Sequence, residues 1–208
     1  MMMEERLAEG LAAMRIAPDA AAQSKLIAYL RLIEKWNKVY NLTAVRDPEQ
    51  MVVLHVLDSL SVLPHLDAAG TLLDVGSGAG LPGIPLAIVC PKLAVTLVEA
   101  SHKKSAFLRQ AKAELELANV EVVCERVEKW HPGAPFDIVV SRAFAELADF
   151  VEQAKHLVGC NGAMLAMKGV RPFEEIAMIP STHRVENVFE LHVPMLDAQR
   201  HLVFLRAA

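Results

Sequence analysis

The sequence predicts a Rossmann-like α/β domain that is preceded by a helical extension. From Gly70 onward, short β-branched runs alternate with helical stretches, which is typical of βαβ units in a mostly parallel sheet. A glycine-rich run follows the first of these strands and opens a helix, as at the ligand-binding turn of such sheets. Before this point the pattern is helical. We therefore expect a helical extension at residues 1–67, packed on a sheet domain at residues 68–208.

Three helices are expected in the extension. The first runs from Glu4 to Ile16 and is followed by Pro18, which ends it. The second runs from Ala20 to about Tyr40, where apolar side chains recur on one helical face. The third runs from Pro48 to Leu63, with Asp47 as its N-cap and the proline in its first turn.

A basic stretch lies between Lys25 and Arg46, which contains five basic residues and one acid. Aromatic side chains are interspersed, and this mixture is suited to phosphate binding and base stacking. The alternative is a solvated helix face whose aromatic rings belong to the core. The candidate nucleic-acid contacts of this stretch are Arg31, Lys35, Lys38, Asn41 and Arg46.

Seven strands are expected in the sheet domain. They are Thr71–Val75, Ala94–Val98, Val120–Cys124, Asp137–Ser141, Ala163–Met167, Val185–His192 and His201–Leu205. Turn-like residues at 194–199 separate the last two, which predicts an antiparallel hairpin at the end of an otherwise parallel sheet.

The glycine run after the first strand fits two cofactor classes. Gly78–Gly83 matches the G-x-G-x-x-G pattern of nicotinamide dinucleotide sites, while Asp74–Gly80 matches the acid-x-G-x-G-x-G pattern of class I methyltransferases. A carboxylate at Asp74 can accept hydrogen bonds from the ammonium of S-adenosylmethionine, directly or through water, whereas it would repel a pyrophosphate. S-adenosylmethionine is therefore favoured, and a nicotinamide-dependent dehydrogenase remains the alternative.

Two further acids follow later strands. Glu99 ends the second strand, 19 residues after Gly80, where an acid can hold both ribose hydroxyls of an adenosine. Glu128 follows the third strand, where an adenine ring would be reached, although a solvated charged helix start is an equal alternative.

The turn after the fourth strand carries no obvious catalytic group. Its residues Ser141–Phe144 lack the Asn/Asp-Pro-Pro-aromatic motif of enzymes that methylate exocyclic amines, and no cysteine is placed to attack a pyrimidine carbon. An acceptor with a free lone pair, such as guanine N7, would need no general base. Arg142 and Lys168 end strands and are expected to position a phosphate, the cofactor carboxylate or guanine O6, with structural ion pairs as the alternative.

Composition excludes several classes. The net charge of −4 disfavours an indiscriminate nucleic-acid coat protein, and no apolar stretch is long enough for a membrane span. The first residues lack the features of a secretory signal, so a cytoplasmic location is expected. The three cysteines show no metal-binding spacing, and we expect no metal. Because no general base is recognised, a protein that binds S-adenosylmethionine without turnover is a further alternative.

Five segments together resemble the bacterial RsmG family, also called GidB. They are residues 35–46 (KWNKVYNLTAVR), His55-x-x-Asp58-Ser59-Leu60, residues 74–86 (DVGSGAGLPGIPL), Ser141–Ala145 and Lys168-Gly169. The resemblance covers nearly the whole chain. The Gly-Leu-Pro-Gly-Ile-Pro and Asn-Leu-Thr-Ala segments are specific to this family, and its motifs show no departure here.

The resemblance implies methylation of N7 of one guanosine in the 530 loop of 16S ribosomal RNA, with S-adenosylmethionine as donor and a 30S particle or assembly intermediate as partner. It places cofactor contacts at Gly76, Leu81, Glu99, Val127, Glu128 and Arg142, to which the loop and strand-end positions Asp74, Ser77, Gly78, Gly80 and Ala100 are added. It also places a cationic rim for RNA at Arg126, Arg142 and Lys168.

Overall fold

The computed structural model describes residues 2–66, 69–142, 144 and 146–208. The predicted boundary between residues 67 and 68 lies outside the described residues, as do Ala143 and Ala145 of the fourth-strand motif. Within the described part, no helix is both long and apolar enough to cross a membrane.

The extension begins with α1 (Met3–Ala13), α2 (Ala20–Tyr40) and α3 (Pro48–Met51). The predicted N-cap is confirmed, since Asp47 accepts a hydrogen bond from the backbone of α3, and Asp19 caps α2 in the same way. The first helix ends at Ala13, three residues earlier than predicted, because the chain turns at Arg15, which has φ 57°.

The predicted helix from Pro48 to Leu63 is present only in part, because it is not a continuous α-helix. α3 passes into a π-helical turn at Val52–Leu57, then into the short α4 (Asp58–Leu60), and a 3₁₀ turn follows at Leu63–His65. A π turn holds more residues than an α turn, so it frees backbone groups that need other partners. The Leu54 carbonyl finds one outside the helix, as described below.

A seven-stranded sheet forms the second part of the chain, in the order β3-β2-β1-β4-β5-β7-β6. Strands β1 to β5 run parallel to one another, and β7 is antiparallel to both β5 and β6. This confirms the predicted fold class with its antiparallel hairpin. The strands are β1 (Thr71–Val75), β2 (Ala94–Val98), β3 (Val120–Val123), β4 (Phe136–Ser141), β5 (Val158–Lys168), β6 (His183–Glu190) and β7 (His201–Ala207).

β5 differs most from its prediction, since it begins five residues before Ala163. Its first half contains two glycines and polar residues, which have low strand propensity and hide the strand in the sequence. A Cβ on Gly162 would lie 2.8 Å from the carbonyl oxygens of Phe136 and Asp137, so β4 passes too close there for any side chain.

Helices cover both faces of the sheet: α5 (Gly83–Val89), α6 (His102–Glu114), α7 (Leu147–Ala154) and α8 (Phe173–Ala177), with 3₁₀ turns at Val127–Lys129 and Lys155–Leu157. Successive side chains of β1 point to opposite faces of the sheet and pack in different hydrophobic clusters, as strand geometry requires. Leu72 packs in the cluster that contains α2, α5 and α6, and Leu73 packs in the cluster that contains α7. The extension therefore shares its core with one face of the sheet.

Candidate cofactor and acceptor site

The glycine run lies at the carboxyl end of β1 and leads into α5. Gly76, Gly78 and Gly80 have φ of 68°, 58° and 89°, a region that side chains disfavour. The run is also held from outside, because the buried Tyr29 hydroxyl of α2 donates to the Ala79 carbonyl at 2.6 Å. The extension thus fixes the shape of the loop directly.

Asp74, the acid before the loop, is fully buried. Its Oδ2 accepts a hydrogen bond from the Gly83 amide at 2.9 Å, while Oδ1 is buried without a hydrogen-bond partner among the described residues. Burial raises the pKa of this carboxyl to about 7. The carboxylate therefore ties β1 to the start of α5, and its expected contact with a cofactor ammonium stays a prediction.

Glu99 reaches back from β2 to the same loop. Its Oε2 accepts from the Gly78 amide at 2.9 Å and its Oε1 from the Ser101 amide at 2.8 Å. Each carboxylate oxygen has a second lone pair, so both remain able to accept from a ligand hydroxyl. The structure thus places Glu99 against the glycine loop, and its expected contact with the ribose hydroxyls stays a prediction.

Two small cavities flank the loop and meet at Gly76. The first, of about 300 Å³, contains six of the predicted positions in its wall: Gly76, Glu99, Ala100, Arg126, Val127 and Glu128. The second, of about 210 Å³, is lined by Leu42, Thr43, Gly76, Ser77, Gly78, Ala79, Leu81, Lys104 and Arg142. Glu128 is exposed at the rim and pairs with Arg126 at 3.4 Å. Most predicted cofactor residues are therefore brought together, while Asp74 and Gly80 lie behind the cavity walls.

A third cavity, of about 400 Å³, adjoins the second through Arg142 and Thr43, which line both. We call it the acceptor cavity. Its wall consists of Thr43, Val45, Leu54, His55, Asp58, Arg142, Met167, Lys168, Gly169 and Arg200. Two residues that line this cavity, Arg142 and Lys168, are those predicted to position the substrate or cofactor. Of the two, only Arg142 also lines the cavity beside the glycine loop.

The charged groups of the acceptor cavity are tied to one another. Asp58, almost fully buried, accepts from Arg142 Nη1 and from Arg200 Nε, each at 2.8 Å. Arg142 Nη1 also donates to the Leu54 carbonyl at 3.0 Å, which pins the π turn to the end of β4. Lys168 Nζ pairs with Glu175 at 2.6 Å. The structural ion pairs considered as the alternative are thus present, at residues that also line the cavity.

The sequence analysis missed His55, Asp58, Thr43 and Arg200 as site residues. The segment His55-x-x-Asp58 was noted only for its family resemblance, although the two residues project into the same cavity wall. His55 is 2% exposed, and burial lowers the pKa of its imidazole to about 4. The available signal was two ionisable residues within an otherwise uncharged, mostly apolar helical run.

The basic stretch is split by the fold. Arg31 pairs with Glu4 at 2.6 Å and Lys38 with Glu34 at 3.6 Å. Arg31 and Lys35 line a separate groove of about 610 Å³ between α1, α2 and α6. Asn41, in the left-handed conformation after α2, accepts from Arg46 at 2.8 Å, close in sequence to Thr43 and Val45 of the acceptor cavity. Only this second group lies beside the predicted site.

Sheet order, loop and strand-end acid together define a Rossmann-like methyltransferase. Solved structures share the fold: the O-methyltransferase from Bacillus cereus in complex with SAH aligns over 100% of both chains with TM-score 0.61 and 18% identity. TrmN from Thermus thermophilus aligns over 72% of this chain and 48% of its own with TM-score 0.57 and 17% identity. At these identities the likeness shows the fold alone.

Sequence comparison identifies the family. The model of the GidB family, described as rRNA small subunit methyltransferase G, matches residues 22–203. Ribosomal RNA small subunit methyltransferase G of Methylobacillus flagellatus is 56% identical over 205 residues, covering 99% of this chain and 98% of the relative. That of Burkholderia pseudomallei is 55% identical over 208 residues, covering 97% and 90%. The chain belongs to the rRNA small subunit methyltransferase G family, which confirms the predicted resemblance and decides against the dehydrogenase alternative.

Proposed function

We propose that the protein transfers a methyl group from S-adenosylmethionine to N7 of one guanosine in the 530 loop of 16S ribosomal RNA. The observation that carries this proposal is that the three cavities lie side by side and share wall residues. Gly76 joins the first to the second, and Arg142 joins the second to the acceptor cavity. A molecule held along the glycine loop therefore ends beside a pocket of a size common for small ligands.

The residues around the loop fit S-adenosylmethionine, which supplies a methyl group on a positively charged sulfur. Glu99 would accept from the ribose hydroxyls while it keeps its bonds to Gly78 and Ser101. Val127 and Ala100 provide apolar wall for the adenine ring, with Glu128 at the rim. In the second cavity, the guanidinium of Arg142 is suited to the methionine carboxylate.

The chemistry of the acceptor cavity favours a nitrogen that already has a free lone pair. Removing a proton from an amine or hydroxyl needs a base with a pKa near neutrality. His55 has a pKa of about 4, and the Asp58 carboxylate is bound by two guanidinium groups, so neither suits that task. Guanine N7 needs no base, and the chain then has only to align donor and acceptor and to exclude water.

Arg142 and Lys168 are proposed to position the RNA and not to activate it. Arginine and lysine side chains commonly donate hydrogen bonds to guanine O6 and to phosphate oxygens. A full cation directly against N7 would oppose a reaction that leaves positive charge on the ring, and the partners Asp58 and Glu175 offset that charge. Arg126, Asn41 and Arg46 are proposed as further RNA contacts.

The test uses S-adenosylmethionine with a radioactive methyl group and three substrates in parallel: naked 16S RNA, 30S subunits and assembly intermediates, all from cells that lack the modification. We expect label in 16S RNA within a particle, and chain cleavage at that site after borohydride and aniline treatment, which is diagnostic of N7-methylguanosine. Label on another base, on protein or on no substrate would contradict the proposal. Cofactor binding without any label would favour the non-catalytic alternative.

A matched pair of variants connects the result to the site. Glu99→Gln removes one accepting oxygen at the loop and should reduce label by weakening cofactor binding. Glu121→Gln changes an exposed acid of the neighbouring strand β3 and should leave label unchanged. Label that is unchanged in Glu99→Gln would mean that the cofactor lies elsewhere.

A further inference from the structure

His55 is a buried histidine whose ring nitrogens lack well-formed hydrogen bonds within the described residues. It lies in the π turn at Val52–Leu57 and lines the acceptor cavity. Both ring nitrogens are buried, and among the described residues neither has a well-formed hydrogen bond, although the Leu54 backbone carbonyl lies close enough to act on the ring. Buried polar atoms are nearly always satisfied in folded proteins, so each exception calls for a physical explanation.

Packing alone does not explain the imidazole. Its neighbours in the cavity wall include Leu54 and Met167, against which an apolar side chain of similar size would pack without leaving polar atoms unsatisfied. Histidine at this position therefore costs stability in the protein by itself. That cost is offset only if something hydrogen-bonds to the ring during function.

The backbone that carries the ring is held at two adjacent carbonyls. The carbonyl of His55 accepts from the Ser59 hydroxyl, and the preceding Leu54 carbonyl accepts from Arg142. π turns inside helices occur frequently at functional sites, where they redirect a side chain. The same arginine that reaches the cofactor loop thus holds the backbone that carries His55.

At neutral pH the ring is uncharged, because burial lowers its pKa to about 4. The charged groups that act on it, Arg142 and Asp58, are bound to each other and do not supply a proton. A neutral imidazole has one N–H donor and one acceptor nitrogen. It is able to hydrogen-bond to a base without adding positive charge beside N7.

We propose that His55 binds the acceptor base directly, with its neutral ring donating a hydrogen bond to guanine O6 and holding the base for methylation at N7. This rests on the proposed function. Because O6 lies beside N7, a neutral donor there orients the base but does not repel the charge that develops on the ring. The cations of the cavity would then serve mainly the phosphate and sugar.

The test compares His55→Leu, His55→Asn, His55→Gln and the exposed control His192→Leu with the wild type. For His55→Leu we expect kcat/KM for the RNA substrate to fall at least about tenfold, about 1.4 kcal/mol. Its affinity for S-adenosylmethionine by calorimetry should stay within about twofold, and its urea midpoint should be unchanged or higher. Asparagine and glutamine carry an amide N–H that can replace the imidazole donor, so His55→Asn or His55→Gln should recover part of the activity. His192→Leu should match the wild type.

The outcomes separate two failures. If the wild type methylates guanine N7 and His55→Leu does so with equal kcat/KM, the role of His55 is wrong and the proposed function stands. If the leucine and amide variants all unfold at lower urea concentration, histidine is structural and the inference fails. If the wild type labels no guanine N7, the proposed function itself fails.

Discussion

Asp74→Asn should change how the unfolding free energy of the protein depends on pH. The folded-state pKa of Asp74 is about 7, against 3.8 in the unfolded chain, so the folded protein binds this proton more tightly. Three units correspond to about 4 kcal/mol at 1.36 kcal/mol per unit. As pH rises through this window the wild type loses stability, because the buried carboxyl must ionise or stay protonated at growing cost.

Asparagine keeps the shape of the side chain and an oxygen for the Gly83 amide, but it cannot ionise. The difference in unfolding free energy between Asp74→Asn and the wild type should therefore change with pH, by about 2.5 kcal/mol in favour of the variant between pH 5 and pH 8. Any penalty from the second, unpartnered atom is the same at every pH and does not alter this slope.

The assay is urea denaturation of both proteins at several pH values between 5 and 8, without cofactor. Asp137→Asn is the matched control, because backbone amides, Thr71 first, lower the pKa of Asp137, which is thus ionised in both states over this range. Its difference from the wild type should be constant. A difference that is also constant for Asp74→Asn would show that Asp74 is ionised in the folded protein, and would refute the desolvation argument.

Three further substitutions test the contacts that shape the site. Tyr29→Phe removes the hydroxyl that holds the Ala79 carbonyl and should lower the unfolding free energy by about 1–3 kcal/mol in urea; no change would mean that the bond is replaced by water. Asp58→Asn uncouples two guanidinium groups and should cost about 2 kcal/mol, less than the 3–5 of a fully buried pair because the arginines are 29% and 23% exposed. Glu99→Gln should weaken S-adenosylmethionine binding about tenfold in calorimetry, and unaltered affinity would place the ribose elsewhere.

The sequence predicted those parts of the fold that depend on local pattern. The short apolar runs of β1 and β2 gave strand bounds identical to the structure, and Asp47 marked a helix start correctly. The glycine loop could be located because its conformation requires glycine at particular positions. Where propensity is weak, as in the first half of β5, the prediction was too short.

The parts that failed depend on contacts between distant segments. The sequence of residues 48–63 fits a regular helix, and nothing local predicts the π turn. The Leu54 carbonyl that the π turn frees is bound by Arg142, which lies 88 residues away in the chain. The carboxylate of Asp58 meets partners 84 and 142 residues further along the chain. Likewise, helical spacing placed Arg31 on a basic face but did not show that Glu4 neutralises it.

The ion pairs of the acceptor cavity reduce its net positive charge. Two arginines share one carboxylate at Asp58, and Lys168 is paired with Glu175, so the side chains named here sum to one net positive charge and not three. One positive charge still attracts a phosphate, while the electric field against a base that becomes cationic is reduced. An enzyme that methylates a neutral ring nitrogen gains from this balance, whereas one that must form an anionic nucleophile would gain from unpaired cations.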